Sequence, residues 1–323
     1  MKLSVMLKAY NHEPFIAQAL ESALAQRTAF PFEILVGEDR SSDRTREIVQ
    51  GYAARHPGRV RLLDRPCRVG MVRNTMDLYL ASDAEYLAWL DGDDYWTSSE
   101  KLQRQVDLLD AKRHLTMCFH EADQRDAEGR VVQWSLATPG QSEYRIEDLL
   151  VRPAGFASTC VYRRVLTAFP EWFERLPFCD WPLQILHAAI GPAGWLPDVM
   201  CLYRAQDAAA IALGFDPGGA DTRTAFWAPR HVEVYHLLNR HFAYRYDPII
   251  RLELARLSAG GQALRRLAPE RSRATRWMWG TLKRCPPAAR LVVAVAGSIA
   301  RGVRRDAGSP ASARRSAGLE SDR

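Results

Sequence analysis

The chain has 323 residues, 47% hydrophobic and 25% charged, a composition that is typical of a globular protein with a sizeable core. The formal net charge is +6, but residues 261–323 carry 14 Lys and Arg against 4 Asp and Glu, so the part before them is slightly acidic. The sequence has no CxxC pair, no zinc-ligand spacing, no apolar leader and no apolar run of about 18 residues. We therefore expect a cytoplasmic protein with reduced cysteines and no membrane-spanning helix.

Strand and helix signals alternate over the first 95 residues. Short apolar runs predict strands, and apolar residues at helical spacing predict helices. The strands are expected at 3–7, 32–36, 60–63 and 86–90, and the helices at 15–24, 43–55 and 70–80. This order implies a parallel sheet with right-handed crossovers. Ligands of such sheets bind outside the carboxyl ends of the strands.

The pattern changes after Asp94. We expect a helix at 100–111, two strands around a Glu-Gly turn between 115 and 135, a strand at 156–164, a helix from Asp180 that ends before Gly191, and a strand at 194–204. The internal Pro197 suggests that the last of these strands lies at a sheet edge. A loop at 214–221 is a predicted boundary, followed by mostly helical sequence at 225–267. The last 20 or so residues have the composition of a disordered tail.

Three polar clusters follow predicted strands: "AYNHE", "GEDRSSD" and "LDGDDYW". The third places Asp91, Asp93 and Asp94 within four positions, where like charges repel unless water, a cation or a basic partner is near. Neither GxGxxG nor GxxxxGK[ST] is present, so a phosphate group would have to be held in another way. Divalent Mg²⁺ or Mn²⁺ bridges carboxylates to substrate phosphates, and Gly92 would let the backbone turn sharply. The alternative is an acidic surface turn.

Four segments in order carry a resemblance to a known family: "SVMLKAYNHEPFIAQALESALAQ", "FEILVGEDRSSDRTREIV", "VGMVRN" and "YLAWLDGDDYWTSSEKLQRQV". They resemble the nucleotide-binding half of family 2 glycosyltransferases, densely over residues 2 to 110 and more loosely to 205. The resemblance implies an α/β GT-A (Rossmann-like) fold, a mostly parallel sheet flanked by helices, with a C-terminal helical extension. The implied domains are a GT-A domain at 1–213 (nucleotide-binding half 1–110, acceptor half 111–213), a basic helical extension at 214–305 and a disordered tail at 306–323.

The resemblance also implies an inverting, metal-dependent enzyme of cell-envelope polysaccharide biosynthesis. It would transfer sugar from a UDP-, dTDP- or GDP-sugar to a glycan or lipid-linked acceptor, with Mg²⁺ or Mn²⁺ as cofactor. The metal would be held by Asp93, with Asp91 near the metal's water shell or the ribose. The nucleotide-sugar would be bound by Ala9, Tyr10, Asn11, Glu13, Asp39, Arg73, Asp91 and Arg204. An ionised Asp39 would accept an N–H from the base.

Asp180 matches the position of the family's catalytic base, which deprotonates the acceptor hydroxyl. The alternative is that Asp180 is an ordinary helix N-cap. Trp96 would either form an apolar wall near the sugar or pack in the core.

One segment departs from the family pattern. In "LYRAQDAAA", Gln206 stands where relatives often have His, and Ala208 and Ala209 replace two glycines. This departure leaves open a non-catalytic nucleotide-sugar-binding or scaffold protein of a polysaccharide assembly complex. It also motivates the hypothesis that Arg204 contacts the diphosphate.

The basic C-terminal region, with Trp277 and Trp279, suggests peripheral contact with the inner face of the cell membrane. A solvated tail is the alternative. We expect no nucleic-acid partner, because nucleic-acid binding would leave the acidic clusters unexplained.

Overall fold

The computed structural model describes residues 1–125, 131–134, 138, 140–204 and 219–258. By its contacts the chain divides after Leu254, and the sheet and its flanking helices belong to the first unit. Of the second unit, residues 255–258 are described, and they end a helix. The basic residues 261–323 therefore lie outside the described part, as do Gln206, Ala208 and Ala209.

One mixed sheet organises the described chain. Its strands are β1 (Leu3–Ala9), β2 (Phe32–Glu38), β3 (Val60–Leu62), β4 (Tyr86–Asp91), β5 (Tyr95–Trp96), β6 (Met117–Arg125), β7 (Val131–Trp134), β8 (Glu143–Tyr144), β9 (Val161–Arg163) and β10 (Ala193–Arg204). The order across the sheet is β3-β2-β1-β4-β9-β6-β10-β5, with β7 paired to β6 and β8 to β10.

Helices cover the sheet where the apolar residues recur at helical spacing. They are α1 (Ile16–Leu24), α2 (Thr45–Arg55), α3 (Met71–Leu80), α4 (Lys101–Ala111), α5 (Ile146–Val151), α6 (Asp180–Ala188), α7 (Gly219–His241) and α8 (Asp247–Ser258). Short 3₁₀ turns occur at Ala157–Thr159 and Phe173–Arg175. In the described residues no helix is long and apolar enough to cross a membrane.

The predicted parallel half of the sheet is confirmed. Strands β3, β2, β1 and β4 pair in parallel, and β1 is buried along nearly its whole length. The order reverses between β1 and β4, because β2 and β3 lie on one side of β1 and β4 lies on the other. A crevice for a ligand is expected at such a switch point, outside the ends of β1 and β4.

The second half differs from the sequence prediction in two places. The segment 156–164 is strand only at Val161–Arg163, because the preceding residues form a 3₁₀ turn that serves the acidic cluster described below. Strand β10 is not an edge strand: it pairs with β6 on one side and with β8 and β5 on the other. Pro197 is tolerated because it falls between β8 and β5, at an irregularity in the β6 pairing.

The helical prediction for 225–267 is also corrected in part. The chain is already helical at Gly219, and the helix is interrupted between α7 and α8, where Ala243 and Tyr244 have φ values of 47° and 63°. In α7, the Tyr235 hydroxyl donates to the Leu150 carbonyl at 2.6 Å. Helix α7 therefore packs against α5, while the predicted domain division at residue 213 stays a prediction.

The cysteines fit the expectation of reduced thiols. All five in the described residues are free, and four of them are buried: Cys118, Cys160, Cys179 and Cys201.

A buried polar network ties α3 to β2 below the predicted nucleotide site. The Asn74 side chain donates to the Gly37 carbonyl at 2.6 Å and accepts from Arg65 at 3.0 Å. A Cβ on Gly37 would lie 2.0 Å from the Asn74 side-chain oxygen and 2.9 Å from Leu78. Only glycine therefore lets α3 approach the sheet this closely.

We predict that Gly37→Ala lowers the free energy of unfolding by about 1–3 kcal/mol, because the added methyl overpacks a fully buried contact. Chemical denaturation measures the change. Gly51→Ala, in α2, is the matched control, because the new Cβ would lie 3.6 Å from its nearest neighbour, the Arg55 guanidinium. It should leave the free energy of unfolding unchanged or raise it by up to about 1 kcal/mol. Equal effects of the two substitutions would contradict the packing argument.

Candidate active site

The acidic turn Asp91–Asp94 leaves the sheet at the carboxyl end of β4. Its backbone lies close to β1, because the Gly92 N–H donates to the Lys8 carbonyl at 2.8 Å. A Cβ on Gly92 would lie 2.8 Å from that carbonyl oxygen and 2.7 Å from the His12 ring. The glycine predicted to allow the turn is therefore needed for close contact with β1 and the first loop.

Asp91 is held by groups from two strands. Its Oδ1 lies 3.0 Å from the Lys8 ammonium and accepts from the Trp89 indole N–H at 3.1 Å. The Lys8 ammonium also lies 4.2 Å from the centre of the Trp89 ring. Burial acts to lower the pKa of Lys8, but Asp91 together with Cys179 and Asp180 outweighs burial and the pKa is raised, so the lysine is charged beside the acid.

Asp94 is buried, and both of its carboxylate oxygens are hydrogen-bonded within the protein. It is 1% exposed, and its carboxylate accepts from the Ser158 hydroxyl at 2.7 Å and from the Arg204 backbone N–H at 3.0 Å. The same Ser158 oxygen accepts the Asp91 N–H at 3.1 Å. Burial, with Asp93 and Asp91 nearby, raises the pKa of Asp94 well above its usual value. Asp94 thus links β4 to the 3₁₀ turn and to β10.

Asp93 differs from its two neighbours, because the ion-pair partner of its carboxylate in the described residues, His12, is distant. The His12 Nε2 lies 4.0 Å from its Oδ2. Burial first, and then Asp91, raises the pKa of Asp93, whereas His12 and Lys8 act to lower it. Of the three acids, Asp93 is the one whose carboxylate has the weakest protein partner.

Two neighbouring carboxylates suit a hard divalent cation. No cluster of three or more His, Cys, Asp or Glu side chains in the described part of the chain is arranged to hold a metal. Mg²⁺ and Mn²⁺ commonly take one or two protein carboxylates and complete their coordination with water and substrate phosphates. Asp91 and Asp93 therefore fit such a cation in the presence of a diphosphate, and Asp94 is already used by the protein.

Arg204 closes the turn from the end of β10. Its guanidinium donates to the Asp93 carbonyl and to the Gln18 side chain, and it lies 4.9 Å from the ring centres of both Phe15 and Tyr95. It is 9% exposed. The predicted contact with a diphosphate stays a prediction, and the contacts present hold the backbone of the acidic turn.

Asp39 lies at the end of β2 and is 2% exposed. Its two carboxylate oxygens accept from the Val69 and Gly70 N–H groups, at 2.7 and 2.9 Å. Gly70 has a φ of 86°, which favours glycine. Each carboxylate oxygen has a second lone pair that can accept another N–H. The predicted contact with a base N–H stays a prediction.

The first loop lies against the loop after β2. Asn11, at a φ of 54°, accepts the Ser42 N–H at 2.9 Å, and Glu13 accepts the Arg44 N–H at 2.9 Å. Ala9 is buried at the end of β1, beside Glu38 in register, and the Tyr10 ring stacks against the Arg68 guanidinium at 3.9 Å. The structure brings these predicted residues to the same sheet edge as Asp39, and their contacts with a nucleotide stay predictions.

Asp180 approaches the acidic turn from α6. It is the first residue of that helix, and Cys179 is the N-cap, so the alternative of an N-cap aspartate is wrong. Burial raises the pKa of Asp180, as does Asp91, while the Lys8 ammonium acts to lower it. The side chain is therefore within electrostatic reach of both residues at the switch point.

Two further predicted residues lie in other surroundings. Arg73, on α3 and about half exposed, pairs with Asp77 at 2.8 Å and with Glu174 at 3.2 Å. Trp96 is 4% exposed and donates its indole N–H to the Ser158 carbonyl at 2.9 Å, so its core alternative is the one observed. The contact of Arg73 with the nucleotide stays a prediction.

The comparisons with known proteins agree with this geometry. The sequence profile of the family described as Glycosyl transferase family 2 matches residues 4–167, which include the acidic turn and nearly all of β1 and β4. The chain belongs to this family.

Its relatives in sequence extend the likeness. The uncharacterized protein Rv1520 of Mycobacterium tuberculosis is 33% identical over 234 residues, which are 71% of this chain and 64% of that protein. WfgD of Escherichia coli, a UDP-Glc:α-D-GlcNAc-diphosphoundecaprenol β-1,3-glucosyltransferase, is 33% identical over 109 residues, 33% of this chain and 40% of WfgD. The chain thus matches less than two thirds of the length of either relative.

A solved structure supports the fold. The mannosyltransferase PcManGT of Pyrobaculum calidifontis, in complex with GDP-Man and Mn²⁺, matches with a TM-score of 0.56 and 18% identity. The match covers 94% of this chain and 86% of that one. The predicted α/β fold of the GT-A type is confirmed.

Three residues that contribute to this site were missed by sequence reasoning. Lys8 could have been noticed as the one charged residue in an apolar strand, at its carboxyl end. Ser158 and Gln18 carry no such signal, because Ser158 meets Asp94 across 64 positions and Gln18 meets Arg204 across 186.

We predict that Ser158→Ala lowers the free energy of unfolding by about 1–3 kcal/mol, because the buried Asp94 carboxylate and the Asp91 N–H each lose a hydrogen-bond partner. Chemical denaturation at neutral pH measures this. Ser98→Ala is the control: the Ser98 hydroxyl accepts one exposed N–H at 3.2 Å and its loss should cost clearly less. A smaller effect at Ser158 than at Ser98 would contradict the assigned role.

Proposed function

We propose that this protein is an inverting glycosyltransferase. It transfers a sugar from a nucleoside-diphosphate sugar to a hydroxyl of a glycan or lipid-linked acceptor, and it requires Mg²⁺ or Mn²⁺. The observation that carries the proposal is that Asp91 and Asp93 lie at the carboxyl end of β4 beside β1, with Asp39 at the end of the neighbouring β2 and Asp180 within electrostatic reach of Asp91.

The nucleotide would lie along the ends of β1 and β2. Its base would meet the Asp39 carboxylate, which the Val69 and Gly70 N–H groups already orient. An ionised carboxylate suits an N–H donor, which uracil, thymine and guanine all have. The name of WfgD contains UDP-Glc, and the solved structure of PcManGT is a complex with GDP-Man. A UDP-, dTDP- or GDP-sugar is the donor class we propose.

The diphosphate would lie next to the acidic turn. Asp93, with Asp91 beside it, would hold the cation, which would supply positive charge to the departing nucleoside diphosphate. This assignment follows from the partners of the three acids: Asp94 is hydrogen-bonded on both oxygens, whereas the ion-pair partner of Asp93 among the described residues is a distant His12. The presence of Mn²⁺ in the PcManGT complex supports the choice of cation.

Asp180 would act as the general base. Its carboxylate takes the proton of the acceptor hydroxyl as the oxygen forms a bond to the anomeric carbon of the sugar. The bond from that carbon to the diphosphate oxygen breaks on the opposite side, and its electron pair leaves with the nucleotide. Attack from the face opposite to the leaving group inverts the anomeric configuration.

The acceptor class is proposed from the relatives and from the C-terminal composition. The name of WfgD includes a diphosphoundecaprenol-linked sugar, which supports a lipid-linked acceptor and a role in polysaccharide assembly. A peripheral contact of residues 261–323 with the inner face of the cell membrane would suit such an acceptor. Co-sedimentation of the full chain with anionic vesicles, compared with neutral ones, tests this contact.

We predict that Asp93→Asn lowers transfer at least about a hundredfold, because charge stabilisation at the leaving diphosphate is lost. Transfer is measured with a panel of UDP-, dTDP- and GDP-sugars, with Mn²⁺, Mg²⁺ or EDTA. Asp107→Asn, an exposed carboxylate on α4 paired with Gln103, is the matched control and should retain activity.

The panel also tests the function itself. Transfer or slow donor hydrolysis that EDTA abolishes is the expected result for the wild-type protein. Wild-type protein that binds a nucleotide-sugar but turns over none with a broad acceptor set would favour the scaffold alternative. Full activity of Asp93→Asn would instead favour the alternative that the acidic turn is only a structural surface turn.

We predict that Asp180→Asn lowers the rate of transfer by about 10²–10⁴-fold, because the acceptor hydroxyl loses its base. Nucleotide affinity should stay unchanged, since the proposed role of Asp180 is toward the acceptor hydroxyl and not toward the nucleotide. Asp247→Asn is the control, because Asp247 is likewise the first residue of a helix, α8. It should leave transfer unchanged.

The pH profile gives an independent readout of Asp180. Burial raises the pKa of this acid, and a base acts only when ionised. The wild-type kcat/KM should therefore fall as the pH drops through a pKa above that of an ordinary aspartate. If Asp180→Asn keeps the same acidic limb, the base is another residue.

A further inference from the structure

Lys8 is a charged residue in the interior of the sheet. It lies in β1, a strand that is otherwise apolar apart from Ser4, and its side chain is 12% exposed. In register, Lys8 is paired with Asp91 of β4, so the two side chains stand on the same face at the switch point. Burying a lysine costs free energy, and such a position needs a partner.

The partner is one oxygen of Asp91. Oδ1 receives both the Lys8 ammonium, at 3.0 Å, and the Trp89 indole N–H, at 3.1 Å. The ring of Trp89 also contacts the ammonium at 4.2 Å. In the described residues no hydrogen-bond donor is paired with Oδ2 of Asp91. The carboxylate is thus held through Oδ1, and Oδ2 is left for a ligand.

The charge of Lys8 acts on the other acids as well. It lies within electrostatic reach of Asp93 and of Asp180 and favours the ionised form of both. Without it, the repulsion between the carboxylate of Asp91 and these two acids would be less well compensated. Lys8 therefore both orients Asp91 and offsets its charge.

We propose that Lys8 is a positioning residue that holds Oδ1 of Asp91, so that Asp91 offers the cation a single oxygen and Asp93 remains the direct ligand. The proposal rests on the function proposed above. It concerns the arrangement of the two acids, since Lys8 itself carries no step of the transfer.

The proposal predicts that Lys8→Met changes Mn²⁺ affinity and kcat in opposite directions. Loss of the ammonium removes a positive charge beside the cation and frees Asp91 to chelate with both oxygens, so Mn²⁺ should bind more tightly, by about tenfold. The cation would then be displaced from its productive position, so kcat should fall by about ten- to a hundredfold. A residue that served stability alone would, on removal, weaken both properties.

The experiment measures Mn²⁺ binding by titration calorimetry, with Mn²⁺ alone and in the presence of UDP, dTDP or GDP, and kcat by transfer or donor hydrolysis. Lys2→Met is the matched control: it changes the same residue type directly before the same strand, at the opposite end, where Lys2 pairs with Glu85 and Asp110. It should leave Mn²⁺ affinity and kcat unchanged.

A second arm covers the case in which Lys8→Met does not fold. Lys8→Gln keeps a hydrogen-bond donor but removes the charge. It should also raise Mn²⁺ affinity and lower kcat, each by less than Lys8→Met does. In an Asp91→Asn background the substitution at Lys8 should alter Mn²⁺ affinity little, because Lys8 acts through the Asp91 carboxylate.

The outcomes separate the two proposals. Suppose that the wild-type protein binds Mn²⁺, but the folded variant, Lys8→Met or Lys8→Gln, leaves both Mn²⁺ affinity and kcat unchanged or weakens both. This result overturns the role of Lys8 and leaves the proposed function standing. If the wild-type protein binds no Mn²⁺ with any of the three nucleotides, the metal-dependent function falls, and the role of Lys8 falls with it.

Discussion

The ionic crowding at the end of β4 is the constraint on which this site depends. Asp91, Asp93 and Asp94 stand within four positions, and the last two are buried, which raises the pKa of each. Such a cluster persists only if partners offset the repulsion. Three elements supply them: Lys8 from β1, Ser158 from the 3₁₀ turn, and the Arg204 N–H from β10.

These partners make the three acids chemically different. Asp94 has both oxygens occupied and joins the two halves of the sheet, so it serves the fold. Asp91 has one carboxylate oxygen, Oδ1, in contact with Lys8 and Trp89. The ion-pair partner of the Asp93 carboxylate in the described part of the chain is a distant His12, although the Asp93 backbone carbonyl is held by Arg204. This division underlies the proposed metal site, because a cation needs oxygens that the protein has left available and has already oriented.

The predictions that held are those that depend on local pattern. Apolar periodicity located the strands and helices of the first 110 residues, and their alternation implied the parallel sheet and the edge at which polar residues gather. The failures concern pairing over long distances. Pro197 suggested an edge strand, but β8 and β5 flank β10 on either side of that proline. Residues 156–159 look like strand, but Ser158 is needed at the acidic turn.

The sequence by itself determined the class of fold, the order of its elements and the presence of carboxylates at the strand ends, because hydrophobic periodicity and turn residues act within a few positions. Only the tertiary structure decided how each carboxylate is used. Lys8 meets Asp91 across 83 residues, and Arg204 meets Asp94 across 110. Such contacts are set by strand register and packing, and neither spacing nor composition encodes which oxygen of an acid remains free.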